Sequence, residues 1–212
     1  MKAMANSPFS AEAFRLRAQK QVEPAEAQPE YGDHRFNPGH PRLTLNGVRL
    51  RPAAVLIPVV DHGEEATVLL TKRSETLRNH TGQVAFPGGR IDATDPTPEY
   101  AALRETQEEI GLPDTFIDVV GRMPDYVSGT GYRIAPVLSV VKPGFHLTLN
   151  PHEVDTAFEV PLRFLMDPAN HRQGSRIWND TEWMFYEMPY DGQHIWGVTA
   201  GIIRTLYERL YK

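Results

Sequence analysis

The chain has 212 residues, a formal net charge of −5 and no cysteine. This length is enough for one domain with a sizeable core, and the lack of cysteine excludes a disulfide scaffold, a cysteine–zinc site and thiol catalysis. The acidic balance argues against a nucleic-acid binder with a broad basic surface. We expect no membrane span, because no run of about 18 apolar residues occurs. We also expect a cytoplasmic protein, because no apolar secretory signal opens the sequence.

The first 45 residues are expected to form a peripheral helix and an irregular arm, and residues 46–212 to form the main domain. Ser10 can cap a helix over residues 11–21, and residues 23–42 are rich in proline, glycine and charge. Apolar and β-branched runs in the main domain predict seven strands. These strands span about residues 53–60, 67–72, 84–86, 116–123, 134–141, 157–160 and 183–187.

A helix over residues 98–110 has clear start and stop signals. Thr97 is a good N-cap, Pro98 suits the first helical position, and Gly111 is the expected left-handed stop. A short helix is predicted near residues 162–166 and a C-terminal helix over residues 198–210. Strands interrupted by helices favour an α/β fold with a mixed β-sheet between helices.

The helix over residues 98–110 carries a patch of carboxylates. Glu105, Glu108 and Glu109 stand at positions i, i+3 and i+4, which lie on one side of a helix. Like charges at these spacings repel each other. The patch is therefore either a solvated acidic face or a site for a cation, and Mg²⁺ prefers carboxylate oxygens.

The remaining faces of this helix differ in side-chain size. Leu103 and Ile110 share an apolar face that is roughly opposite the carboxylates. Ala101 and Ala102 border the acidic patch, and such small residues let another backbone or a ligand come close. Arg104 can pair with a carboxylate or a phosphate through its planar guanidinium.

The segment before the helix has the opposite charge. Residues 69–90 contain four cations and one anion, whereas residues 91–109 contain six anions and one cation. Residues 83–90 predict a short strand that runs into a Pro-Gly-Gly turn, where paired glycines allow close approach of a ligand to the backbone. A basic segment beside an acidic one suits an anionic substrate that is bridged to a protein-held metal.

This combination resembles the Nudix hydrolases, whose box is written G-x5-E-x7-R-E-U-x-E-E-x-G-U, with U a bulky aliphatic residue. The residues that match the box are Gly89, Arg104, Glu105, Glu108, Glu109, Gly111 and Leu112. Two positions depart from it, because Thr106 replaces an aliphatic residue and Pro96 stands where the first glutamate is expected. The resemblance implies an α/β/α sandwich and metal-assisted hydrolysis of a diphosphate.

A second resemblance points to one branch of the family. Residues 69–74 and 77–89 are similar to the stretch before the box in coenzyme A pyrophosphatases, a branch with a longer loop that Asp92 and Asp95 fit. It implies hydrolysis of coenzyme A or its acyl derivatives to 3′,5′-ADP and 4′-phosphopantetheine. One alternative is a Nudix pyrophosphatase for ADP-ribose or NADH. Another is a non-catalytic nucleotide-sensing domain, which the presence of all three box glutamates disfavours.

The resemblance also implies roles for individual residues. The expected cofactor is Mg²⁺ or Mn²⁺, and its expected ligands are Glu105, Glu108, Glu109 and the carbonyl of Gly89. Glu105 and Glu108 also belong to the expected catalytic set, in which Arg104 orients the carboxylates. Glu153 is a candidate general base or else a surface carboxylate, and His80 is another candidate base or a donor to phosphate. Candidate substrate-binding residues are Arg73, Arg78, His80, Gly88 and Gly89. The expected partner is a nucleotide-type small molecule, without nucleic acid or membrane, and the oligomeric state stays open.

Overall fold

The computed structural model of the chain describes residues 7–20, 31–39, 50–75, 81–178 and 180–212. The helices in these ranges are α1 (Ala11–Gln19), α2 (Pro98–Ile110), α3 (Leu162–Leu165) and α4 (Gly197–Leu210). The strands are β1 (Tyr31–Gly32), β2 (Arg51–Asp61), β3 (Ala66–Arg73), β4 (Val84–Ala85), β5 (Gly88–Arg90), β6 (Ile117–Arg122), β7 (Tyr126–Val127), β8 (Tyr132–Val141), β9 (Val154–Pro161), β10 (Arg172–Trp178), β11 (Thr181–Tyr190) and β12 (Gln193–Trp196).

The main sheet is mixed. Its central path runs β1-β7-β8-β2-β3-β4, while β5 pairs with β2, β6 with β8, and β9 with β3. The long pair β2–β8 is parallel, as is β1–β7, and the remaining pairs are antiparallel. Strands β10, β11 and β12 form a separate antiparallel sheet.

Helices cover both faces of the main sheet. Ala102 of α2 packs in one cluster with Leu56 of β2. The next residue of β2, Ile57, belongs to the opposite cluster with Phe14 of α1 and Ile203 of α4. Successive strand residues point to opposite faces, so the expected mixed sheet between helices is confirmed. No helix among the described residues is long and apolar enough to cross a membrane, and a cytoplasmic location stays a prediction.

Helix α2 has the predicted bounds because its end signals are local. The side-chain oxygen of Thr97 accepts the N–H of Tyr100, and Pro98 occupies the first turn. Gly111 adopts φ 65° and donates its N–H to the carbonyl of Gln107. A left-handed glycine satisfies a helix-end carbonyl without the steric cost of a side chain.

Other predicted elements differ at their ends or in number. The seven predicted strands are present with shifted bounds, whereas α1 ends at Gln19, α3 ends at Leu165 and α4 begins at Gly197. The short strands β1, β5 and β7, together with β10 and β12, were not predicted. Several are two to four residues long or contain glycine, so they lack a clear alternating pattern.

The predicted irregular arm over residues 23–42 is wrong for residues 31–35, which form β1 and a 3₁₀ turn. Asp33 is buried there and accepts the Tyr126 hydroxyl at 2.6 Å and the Gly129 N–H at 2.7 Å. The side chain of Asn37 both donates to and accepts from the backbone of Met184. These bonds tie the segment to β7 and β11. Residues 21–30 and 40–49 lie outside the described residues.

Candidate active site

Helix α2 carries a nearly buried carboxylate against strand β5. Glu109 is 3% exposed, and its Oε2 accepts the N–H of Gly88 at 3.0 Å. Gly88 has φ 147°, and a Cβ there would lie 2.4 Å from the carbonyl oxygen of Ala54. Only glycine therefore lets β5 lie this close to β2 while it offers its N–H to the helix.

The buried face of α2 matches the predicted apolar face only in part. Ala102, Thr106 and Ile110 are fully buried, whereas Leu103 is only partly buried and Tyr100 is exposed. The Thr106 hydroxyl donates to the Ala102 carbonyl at 2.7 Å. A threonine that bonds back to its own helix buries no unsatisfied hydroxyl, which accounts for its presence at the aliphatic box position.

The surroundings of Glu109 disfavour its negative charge. Burial raises the pKa of Glu109 to about 7, the Gly88 N–H and Arg73 oppose that rise, and the charges of Glu105 and Glu153 add to it. The Arg73 Nη1 lies 3.6 Å from the Glu109 Oε1. The charges of nearby carboxylates therefore oppose ionisation of the buried Glu109 side chain, an effect that a bound cation would offset.

Glu105 covers Gly89, which lies in β5 and not in the turn that the sequence predicted. A Cβ on Gly89 would lie 2.5 Å from the Glu105 Cδ, so the carboxylate lies directly over this backbone. Burial raises the pKa of Glu105, and Arg104 opposes that shift. The absence of a side chain at Gly89 brings carboxylate and peptide oxygens together, and such oxygens are the donors that hard divalent ions prefer.

Glu108 is linked to Glu105 through Arg104. The Arg104 Nη1 donates to the Glu105 Oε1 at 3.0 Å and to the Glu108 Oε2 at 2.9 Å, and the Glu108 side chain is 54% exposed. As the side chains are placed, no three Asp, Glu or His residues in the described ranges lie close enough together to hold an ion. The carboxylate and carbonyl oxygens still fit a divalent ion by donor type. In the structure the Glu108 carboxylate is hydrogen-bonded to Arg104.

The segment after β8 brings Glu153 to the site by way of the helix end. Thr148 and Asn150 donate their N–H groups to the carbonyls of Ile110 and Glu109, both at 2.9 Å. The last carbonyls of a helix need such partners. The Asn150 side chain also donates to the Glu153 Oε1 at 3.3 Å. The negative charge of Glu153 contributes to the raised pKa of Glu109.

Arg73 lies at the end of β3, where the upstream motif meets the site. Its N–H donates to the Gln83 carbonyl at 2.9 Å, and its carbonyl accepts the N–H of Gly82 at 3.2 Å. Its Nε is buried and has no hydrogen-bond partner among the described residues. The side chain as a whole is 29% exposed, so the guanidinium beside Glu109 is partly open to solvent. Arg78 and His80, the other predicted substrate contacts in this motif, lie outside the described residues.

One residue to which the sequence assigned no role belongs to the same site. The Asp95 side chain is 1% exposed, and both of its oxygens accept N–H groups of Arg104. The only sequence signal for Asp95 is its place in the long loop between Gly89 and Arg104.

Comparisons with known proteins agree on one family. The family model described as the NUDIX domain matches residues 49–187. A Cronobacter sakazakii protein named "Uncharacterized Nudix hydrolase NudL" is 41% identical over 180 residues, which cover 81% of this chain and 89% of that protein. An Escherichia coli K12 protein of the same name is 38% identical with the same coverage. The matched span includes α2, β5, Arg73 and Glu153.

Two solved Nudix structures resemble part of the chain. The Nudix hydrolase RenU of M. smegmatis has a TM-score of 0.45 and 28% identity, and the match covers 52% of this chain and 70% of RenU. The NUDIX domain of Shewanella oneidensis NrtR, solved with ADP ribose, has a TM-score of 0.41 and 17% identity over 72% of this chain and 84% of that one.

The Glu109→Gln variant tests the buried carboxylate. It keeps the size of the side chain and removes the charge, so we expect Mn²⁺ affinity measured by calorimetry to fall at least about tenfold. In EDTA at pH 8 the free energy of unfolding should stay equal or rise, because a buried charge is lost. Glu99→Gln is the control, since Glu99 lies in the first turn of α2 and its carboxylate pairs with Arg122 of β6. Wild-type affinity in Glu109→Gln would rule Glu109 out as a ligand.

The Gly89→Ala variant tests the contact between this glycine and Glu105. The added methyl group must push the Glu105 carboxylate away, so Mn²⁺ affinity should fall by about tenfold. The free energy of unfolding should change by less than about 1 kcal/mol, because a flexible side-chain end can move aside. Gly121→Ala is the matched control, since its Cβ would meet its nearest neighbour at an ordinary 3.5 Å. Unchanged affinity in Gly89→Ala would show that the position of Glu105 does not matter for the ion.

Proposed function

Because the chain belongs to the Nudix family of hydrolases, we propose that it hydrolyses the diphosphate bond of coenzyme A or its acyl derivatives. The products are 3′,5′-ADP and 4′-phosphopantetheine or its acyl form. The support for this substrate is the motif over residues 69–74 and 77–89, which resembles that of the coenzyme A branch.

The observation that carries the proposal is the position of Arg73. This residue belongs to the upstream motif, its Nη1 lies 3.6 Å from the Glu109 Oε1, and its side chain is 29% exposed. A partly exposed guanidinium suits the oxygens of a diphosphate. Arg73, one residue of that motif, thus lies beside Glu109, a proposed metal ligand, where it can contact the substrate.

Nudix hydrolases generally use divalent metal ions, and we assign Mg²⁺ or Mn²⁺ to this chain. The proposed ligands are Glu105, Glu108, Glu109 and the carbonyl of Gly89. A bound ion would neutralise the phosphates and lower the pKa of the attacking water. Arg73 would bind the diphosphate, and the backbone of Gly88 and Gly89 would let the substrate come close to β5.

The proposed general base is Glu153. Its charge contributes to the raised pKa of both Glu105 and Glu109, which supports a position near the proposed ligands. Its carbonyl accepts the N–H of Ser74, and its side chain accepts from Asn150. A carboxylate held in this way can take a proton from water as the water attacks phosphorus.

A substrate panel tests the proposed activity. Wild type is incubated with Mg²⁺ and coenzyme A, dephospho-coenzyme A, ADP-ribose or NADH, and the products are identified. We expect the highest kcat/KM on coenzyme A, and a loss of about one to two orders of magnitude without the 3′-phosphate, on the scale of a few kcal/mol for charged hydrogen bonds. A better rate on ADP-ribose or NADH would replace coenzyme A with that substrate. No hydrolysis of any compound would favour the nucleotide-sensing alternative.

The Glu153→Gln variant tests the base. We expect kcat to fall by about 100-fold, since general-base catalysis contributes on that order, while Mn²⁺ affinity stays within about twofold. Asp155→Asn is the control, because Asp155 lies two residues away with a side chain that is 54% exposed and 4.0 Å from Lys72. Wild-type kcat at saturating Mg²⁺ would return Glu153 to the role of a surface carboxylate.

A further inference from the structure

Arg104 is held from behind by the loop that precedes α2. Its Nε donates to the Asp95 Oδ1 at 3.0 Å, and its Nη2 donates to the Asp95 Oδ2 at 2.9 Å. Nη2 also donates to the Arg90 carbonyl at 3.2 Å. Such a two-point contact between guanidinium and carboxylate fixes the plane of the arginine as well as its position.

Asp95 is itself held by its own turn. Its Oδ2 accepts the Asp92 N–H at 2.8 Å, and its backbone N–H donates to the Asp92 carbonyl at 3.0 Å. Because the side chain is only 1% exposed, water does not compete for these bonds. The loop therefore binds one edge of the guanidinium through a side chain that is itself hydrogen-bonded.

The opposite edge of the guanidinium faces the proposed ligands. Nη1 donates to Glu105 at 3.0 Å and to Glu108 at 2.9 Å. Both carboxylates are on flexible side chains, so their positions depend on where this nitrogen lies. The box position where a glutamate is expected holds Pro96, which has no side-chain acceptor.

We propose that Asp95 is a positioning residue that orients Glu105 and Glu108 for a divalent ion by fixing Arg104. It supplies, from the longer loop, the carboxylate support that Pro96 lacks. This inference rests on the proposed function in one respect, namely that Glu105 and Glu108 bind the ion. It assigns Asp95 no contact with the ion or the substrate.

A double-mutant cycle tests the route through arginine. Asp95→Ala, Arg104→Ala and the double variant are titrated with Mn²⁺ by calorimetry, and their unfolding is measured in urea without metal. We expect Asp95→Ala to weaken Mn²⁺ binding by about tenfold, and by less than about twofold when Arg104 is already alanine, because coupled residues are non-additive. A purely structural role would shift the unfolding midpoint and leave this coupling at zero.

Two further variants complete the experiment. Asp92→Ala is the matched control, because Asp92 belongs to the same turn but its side chain is 65% exposed and 3.9 Å from the Arg104 Nη2; its Mn²⁺ affinity should stay within about twofold of wild type. Asp95→Asn keeps the size of the side chain and one acceptor oxygen, so it still tests the inference if the alanine variant fails to fold. We expect it to unfold like wild type within about 1 kcal/mol and to bind Mn²⁺ at least about threefold more weakly.

Either of two results overturns the inference. One is wild-type Mn²⁺ affinity in Asp95→Ala and Asp95→Asn. The other is an equal loss of affinity in the Arg104→Ala background, which would mean that Asp95 acts without the arginine. The Mn²⁺ titrations contain no substrate, so their outcome does not depend on which compound the enzyme hydrolyses. A wild type that binds Mn²⁺ but leaves coenzyme A intact defeats the proposed function alone, and an active enzyme whose Asp95 variants bind Mn²⁺ normally defeats this inference alone.

Discussion

The close approach of α2 to strands β2 and β5 is the constraint on which the site depends. The fully buried Ala101 and Ala102 keep this interface thin, so Glu109 reaches the N–H of Gly88 and Glu105 covers Gly89. Longer side chains at these positions would lift the helix and separate its carboxylates from the strand. The same contact buries a charged group, which costs stability, and a bound cation would offset that cost.

Both ends of the carboxylate patch are anchored by segments outside the helix. Asp95 holds Arg104 on the side of the preceding loop. On the other side, Thr148 and Asn150 satisfy the final carbonyls of α2 and bring Glu153 alongside. The requirement that helix-end carbonyls find donors therefore also positions the proposed base. The backbone hydrogen bonds that complete the end of α2 would thus also serve the proposed chemistry.

The sequence predicts best what depends on neighbouring residues. The bounds of α2 follow from Thr97 and Gly111, whose effects act within one helical turn. Periodicity identified the buried face only in part: Ile110 is fully buried, but so are Ala101 and Ala102, whereas Leu103 is only partly buried. Strand β5 has little β-propensity at its glycines and forms because β2 offers a partner. The role of Asp95 was also hidden, since it depends on how the loop closes onto Arg104.

The edge of the main sheet at β7 has a consequence for any shortened form of the chain. Strand β1 pairs with this edge, and Asp33 accepts bonds from Tyr126 and Gly129, yet both precede the span over residues 49–187 that the family model matches. A fragment trimmed to that span would expose an unpaired strand edge, which is a template for pairing with a second molecule. It would also leave the Tyr126 hydroxyl and the Gly129 N–H without their acceptor, Asp33. Self-association of such a fragment would then result from the loss of the N-terminal segment and would not indicate a natural oligomer.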